Sequence, residues 1–254
     1  MPHEKFTFTS ASGHELAATL DLPEGTVRGW GVFSHGFTLG KDSLAASRVC
    51  RGLAAEGIGM LRFDNLGLGE STGDFADTSF SLKVRDTVLA AGALRERGHT
   101  AELLVGHSLG GAAVLAAAAE IRPRAIATIG APYSPGHVTH TINHLLAEIE
   151  EHGRAELNLG ARKLEVTQAF VKDLEAHDLT GCINGLHAAL MVMHSPTDNT
   201  VGISNAGAIF QAAKHPKSFL SLDKADHLLT QRVHGARAAR MIAVWAEQYL
   251  ESSP

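Results

Sequence analysis

Ser108 stands in the run Gly106-His107-Ser108-Leu109-Gly110-Gly111, between the apolar stretch Glu102–Val105 and an alanine-rich stretch that runs to Glu120. A serine on a sharp strand-to-helix turn needs small neighbours at Gly106 and Gly110, because larger side chains would clash with the turn and with the elements packed on it. Such a turn aims the hydroxyl outward at a helix N-terminus, where unpaired N–H groups and the positive end of the helix dipole favour a developing oxyanion. The chemistry is nucleophilic attack on a carbonyl, with the N–H of Leu109 as one oxyanion donor. A chain with 26 glycines can match so short a pattern by chance. The placement between an apolar strand and a helix argues against coincidence.

A serine hydroxyl is a weak nucleophile at neutral pH and requires a base. Of the 15 histidines, His227 lies just past the expected final strand Phe219–Leu222, in a loop free to fold back over Ser108. His234 falls at the start of the last helix, His215 precedes the final strand, and His107 adjoins the serine with its side chain pointing elsewhere. The orienting carboxylate is assigned to Asp198, in the turn Ser195-Pro196-Thr197-Asp198 that follows the strand Ala188–His194. An aspartate there could simply bond its own backbone, but the chain order Ser, Asp, His favours the triad role. Asp226 is too close in sequence to His227 to accept readily from its ring, and Asp223 is a weaker alternative. A second oxyanion donor is expected from the loop Ser34-His35-Gly36-Phe37-Thr38, where Gly36 allows close approach to a ligand and the N–H of Phe37 faces it.

The elements that must position these groups alternate strand and helix. After a hairpin of Lys5–Thr9 and Glu15–Leu20 come strand Gly29–Phe33, helix Asp42–Glu56, strand Gly59–Phe63, helix Leu82–Arg97, strand Glu102–Val105 and helix Leu109–Glu120. Strands Ala125–Ile129, Ala188–His194 and Phe219–Leu222 follow, with helices at Asn205–Ala213 and near Ala236–Leu250. Short apolar strands alternating with helices imply a mostly parallel sheet of eight strands covered on both faces. Between Ala131 and Leu186 that rhythm stops for longer than a plain loop allows. Val138, Ile142, Leu145 and Ile149 predict an amphipathic helix ending at Gly153. Ala155–Leu159 and Leu164–Thr167 predict a hairpin, and Gln168–His177 a second helix with Phe170, Val171 and Leu174 inward. The whole 254-residue chain is read as a single domain with a small cap insertion at about 132–186.

A net charge of −5 with no long single-sign run excludes an electrostatic footprint for nucleic acid or anionic membrane. The amino terminus lacks a basic patch followed by an apolar stretch, so a cytoplasmic address is expected. The most apolar helix candidate, Gly110–Ile121, is far shorter than the ~20 residues a bilayer span requires. Cys50 and Cys182 lie in no ligand-spaced pattern and are expected to be reduced and buried. His137, His140 and His144 recur at spacings of three and four and could line up as metal ligands; a polar cap face is the plainer explanation, and no metal is expected. Gly67-Leu68-Gly69 has Thr72 where a dinucleotide fingerprint needs glycine, so no cofactor is expected.

Taken with His35-Gly36-Phe37 and the turn Arg62-Phe63-Asp64-Asn65-Leu66-Gly67-Leu68-Gly69-Glu70-Ser71, the Ser108 motif resembles the α/β-hydrolase family over about Glu15–Leu250. Within it, His194-Ser195-Pro196-Thr197-Asp198, Lys214-His215-Pro216-Lys217-Ser218-Phe219 and Ala225-Asp226-His227-Leu228-Leu229 are similar to bacterial esterase-like hydrolases sometimes fused to an OsmC-like domain, for which this chain has no room. The resemblance implies an α/β-hydrolase fold and esterase activity on small acyl esters, with a small-molecule ester as partner. A thioesterase, peptidase, lactonase or perhydrolase could use the same three residues, since a triad dictates acyl transfer and not the acyl group. Aspartate nucleophiles of epoxide hydrolases and dehalogenases are disfavoured by Ser108. A catalytically silent binding protein of the same fold is the non-enzyme alternative. Oligomeric state is left open, a homodimer being one option.

Overall fold

Aliphatic strands that are buried on both faces need helices on both sides of the sheet, and this chain supplies them. The computed structural model describes residues 2–250. The hairpin β1 (His3–Thr9) and β2 (Glu15–Asp21) is followed by β3 (Gly29–Ser34), α1 (Leu44–Ala55), β4 (Ile58–Phe63), α2 (Phe80–Glu96), β5 (Ala101–His107), α3 (Leu109–Ile121) and β6 (Ala125–Ile129). The eight-stranded sheet is completed by β9 (Ala189–His194) and β10 (Lys217–Ser221), in the order β1-β2-β4-β3-β5-β6-β9-β10. β1 and β2 pair antiparallel, as do β2 and β4, and every other pairing is parallel. This is the α/β-hydrolase arrangement expected from the sequence. The ends of several elements differ from expectation by a few residues; α8, for example, runs Arg232–Leu250 and starts a turn earlier.

Residues along the central strands alternate between two cores. Leu103 and Val105 of β5 join Val49, Leu53, Ala239 and Ile242 from α1 and α8. Leu104 joins Leu94, Val114 and Leu115 from α2 and α3 on the opposite face, with α7 (Ser204–Ala212) adding Ala206 and Ile209. Charge is also buried beside the C-terminal end of β4. Arg62 Nε donates to Asp21 Oδ2 at 2.7 Å and its Nη1 to the Lys41 carbonyl at 2.7 Å, while Lys41 Nζ lies 2.9 Å from Asp64 Oδ2. Gly69 sits so close to Asp64 that a Cβ there would lie 2.2 Å from its carboxylate. These ion pairs fasten the loop after β3 to the glycine-rich turn after β4.

Between β6 and β9 the chain leaves the sheet. A 3₁₀ segment, Pro135–Leu145, leads into α4 (Leu146–His152), then the antiparallel hairpin β7 (Arg154–Asn158) and β8 (Lys163–Thr167), α5 (Gln168–Ala176) and the short α6 (Thr180–Asn184). The expected continuous amphipathic helix over Val138–Ile149 is thus two pieces, with Ile142 at a non-helical φ of −118°. Thr139 and Thr141 turn their hydroxyls onto the carbonyls of Gly136 and Val138, which competes with α-helical bonding. Val138, Ile142, Leu145 and Ile149 are buried all the same. Cys50 is buried as expected, but Cys182 is exposed, because α6 presents it at the surface.

Candidate functional site

β5 ends at His107 and α3 begins at Leu109, so Ser108 occupies the single residue between strand and helix, at φ 53° and ψ −128°. That conformation is costly for a residue with a Cβ and persists only where the surroundings impose it. Here the Ser108 N–H donates to the Ile129 carbonyl at 2.9 Å and its carbonyl accepts from Gly111 at 2.8 Å. The flanking glycines are obligatory: a Cβ on Gly106 would fall 2.3 Å from the Gly110 oxygen, and one on Gly110 2.0 Å from the Ser34 oxygen.

His227, in the loop after β10, reaches back so that its Nε2 lies 2.9 Å from Ser108 Oγ. Its Nδ1 lies 2.7 Å from Asp198 Oδ2. The three residues expected to act together are therefore in one hydrogen-bonded line. An ionised Asp198 holds the proton on Nδ1 and leaves Nε2 as acceptor for the serine O–H. Burial pushes the Asp198 carboxyl up, but the His227 hydrogen bond, the Val201 N–H, the His227 charge and the Thr200 N–H together outweigh it and hold its pKa below the ordinary aspartate value. The two N–H groups both donate to Oδ1, each at 2.9 Å. The alternatives lie elsewhere: Asp226 accepts from the Thr230 N–H at 2.9 Å, and Asp223 accepts from Ser221 Oγ.

Three supports of this line were not read from the sequence. His107 was expected to point away, yet its Nε2 lies 2.7 Å from the carbonyl oxygen of His227, so it donates there and fixes the backbone of the base. Burial first, then the charge of His227, lowers the His107 pKa to about 4 against a weaker upward pull from that hydrogen bond, so the ring is neutral. His194 donates through Nε2 to the Val201 carbonyl at 2.7 Å and so braces the Asp198 turn. Gly130, at φ 57°, leaves space for the Asp–His pair; a Cβ there would lie 3.3 Å from Asp198 Oδ2 and 3.4 Å from His227 Nδ1. A histidine beside the serine and a glycine ending β6 are visible in sequence, but only folding reveals what they touch.

The oxyanion donors expected at Phe37 and Leu109 border Ser108. A Cβ on Gly36 would lie 3.0 Å from Ser108 Cβ, which shows how closely the loop approaches. Among the described residues neither the Phe37 nor the Leu109 N–H donates to another group, as the first N–H of a helix commonly does not. The cap holds this loop from above. Phe170 of α5 stacks on Phe37 with ring centroids 5.6 Å apart, and Arg162 Nη2 donates to the Thr38 carbonyl at 3.2 Å. Over Ser108 lies a cavity of about 360 Å³, walled mainly by Phe37, Leu39, Val138, Ile142, Leu157 and Val201, with Arg162, His137 and three threonine hydroxyls among its polar groups and, among the described residues, no carboxylate in its lining. A larger hollow of about 590 Å³ between α3 and α6 is remote from Ser108. His137 and His140 meet edge to face with centroids 4.7 Å apart, and among the described residues no three His, Cys, Asp or Glu side chains are placed to hold a metal ion. No described helix is long and apolar enough to cross a membrane.

A family profile described as "Serine aminopeptidase, S33" matches residues 25–182. Among solved structures, the esterase domain of a Rhodothermus marinus protein is 39% identical over 98% of this chain and 100% of that one, with a TM-score of 0.79. Est1E from Butyrivibrio proteoclasticus, solved with ferulic acid bound, is 19% identical over 96% of this chain and 98% of that one, at a TM-score of 0.76. A putative hydrolase from Agrobacterium vitis S4 is also 19% identical, over 96% and 99%, at 0.79. A search of curated protein sequences gives no significant match. None of these matches supports a fusion to an OsmC-like domain.

Proposed function

Because the chain belongs to the S33 serine aminopeptidase-like family of α/β hydrolases, and is a hydrolase by that membership, we propose that it is a serine esterase cleaving small carboxylic esters through an acyl-enzyme. The observation that carries this reading is the unbroken line from Ser108 Oγ through His227 to Asp198, with contacts of 2.9 and 2.7 Å. Ser108 attacks the ester carbonyl as His227 Nε2 takes its proton, and Asp198 stabilises the imidazolium that forms. The oxyanion rests between the N–H groups of Phe37 and Leu109, each donor contributing about 3 kcal/mol. His227 returns the proton to the leaving alcohol, and water repeats the cycle on the acyl-enzyme.

Esters are favoured over aminoacyl amides by the lining of the cavity. An aminopeptidase must hold a free α-ammonium, for which a carboxylate is the natural partner; the lining offers Arg162 and His137 instead. The volume of about 360 Å³ is at the small end for ligand sites and suits short or medium acyl groups. Rates on p-nitrophenyl esters of graded chain length, an acyl-CoA thioester and alanine p-nitroanilide test this. Esters of short acids are expected to be cleaved with a burst of p-nitrophenol. A preference for the anilide would replace this reading with a peptidase, and a preference for the thioester with a thioesterase.

A further inference from the structure

Lys83 of α2 is only 6% exposed, in the small cavity of about 20 Å³ behind the oxyanion loop, which His35, Phe37, Asn65, Leu109 and Phe170 also line. An ammonium in such a place costs several kcal/mol against an apolar side chain of the same length, and the triad does not use it. Its Nζ donates to Asn65 Oδ1 in a short hydrogen bond. Asn65 Nδ2 is buried with no partner, so this amide is held there by its oxygen. The main-chain N–H of Asn65 donates to His35 Nε2 at 3.3 Å. Because Nε2 accepts, the His35 proton is on Nδ1, which donates to the Gly36 carbonyl at 2.8 Å.

That carbonyl and the Phe37 N–H belong to one planar trans peptide and point in opposite directions, so fixing one fixes the other. We propose that Lys83 is a positioning residue for the oxyanion hole: by gripping Asn65, and through it His35, it locks the Gly36–Phe37 peptide with its N–H turned to the carbonyl under attack at Ser108. The charged groups facing this chain are few. Asp86, on the same helix as Lys83, is engaged by Ser10 Oγ at 2.7 Å and the Ala11 N–H at 3.0 Å, and His35 at the far end of the chain also faces His107 and Lys41. Burial, against a smaller upward pull from Asp86, brings the Lys83 pKa down to about 7. Nζ carries a proton to donate to Asn65 in either state, so the grip survives the titration.

This inference rests on the serine-esterase reading, and its test separates the two. Wild type, Lys83→Met, Asn65→Leu and Asn65→Asp are compared on p-nitrophenyl acetate and with a trifluoromethyl ketone, which forms the tetrahedral oxyanion, after circular dichroism confirms folding. Lys83→Met and Asn65→Leu are expected to lower kcat about 10- to 100-fold with KM within about threefold, less than the full loss of an oxyanion donor. The ketone should bind more weakly by the same factor. Asn65→Asp, which keeps an Oδ for Nζ, should restore most of kcat. Folded Lys83→Met and Asn65→Leu proteins with kcat within about twofold of wild type, or with lost kcat but unchanged ketone affinity, would overturn the proposal. If Lys83→Met does not fold, the Asn65 pair decides, and equal rates for its two variants count against it. A wild-type protein that neither cleaves the ester nor reacts with a fluorophosphonate overturns the esterase reading instead.

Discussion

Replacing Asp198 by asparagine changes one atom and reverses a proton. Asp198 Oδ1 accepts two backbone N–H groups, from Thr200 and Val201, each at 2.9 Å. An asparagine must place its carbonyl oxygen there, since its NH₂ would face two donors. The NH₂ then occupies the Oδ2 position, 2.7 Å from His227 Nδ1, and Nδ1 must become the acceptor. The imidazole proton moves to Nε2, which can no longer accept from Ser108 Oγ. The expected cost is about 10⁴-fold in kcat, or about 5 kcal/mol of transition-state stabilisation, with KM little changed. Asp198→Ala, which leaves the ring free to choose its tautomer, is expected to be no worse despite removing more atoms. Steady-state hydrolysis of p-nitrophenyl acetate at neutral pH measures both. An Asp198→Asn protein within about tenfold of wild type would refute the tautomer account.

Two further outcomes follow from buried charge. His107 is neutral when folded, with a pKa of about 4; the unfolded chain takes up that proton near pH 6.5, so stability is full above about 6.5 and falls as pH drops toward 4, by about 3 kcal/mol from this ring alone. His107→Gln, which can still donate to the His227 carbonyl but cannot titrate, should show a shallower loss of Tm over that range than wild type in thermal melts; an equal loss would contradict the assignment. Arg62→Met strands the Asp21 carboxylate, 1% exposed, without its guanidinium. The expected destabilisation is about 3–5 kcal/mol, a fall in Tm on the order of 10 °C, and a Tm within experimental error of wild type would show that this ion pair is dispensable.

The parts legible in sequence are those governed by local sterics and period. Gly106 and Gly110 flank Ser108 because no Cβ fits there, and that requirement is visible as two letters beside a serine. Short aliphatic runs separated by helical patterns gave the parallel sheet for the same reason: burial on both faces demands apolar residues throughout. Asp198 and His227 were placed by chain order after strands, a topological regularity and not a local one. What escaped depends on distant contacts. His107 and His194 brace the base and the carboxylate through carbonyl oxygens of His227 and Val201, which no residue pattern encodes. The stack of Phe170 on Phe37 joins residues far apart in sequence. The break at Ile142 escaped because hydrophobic spacing reports which face is buried, and that face is buried whether or not the helix is continuous.

Covalent labelling tests the central claim most directly: that His227 and the two amide donors make the Ser108 hydroxyl reactive. The protein is treated with a fluorophosphonate and the modified peptide located by mass spectrometry, alongside Ser108→Ala. One adduct, on Ser108, with ester hydrolysis lost in step and kcat reduced on the order of 10⁶-fold in the variant, is the expected result. An unlabelled Ser108, or an alanine variant that hydrolyses p-nitrophenyl acetate as fast as wild type, would contradict the account.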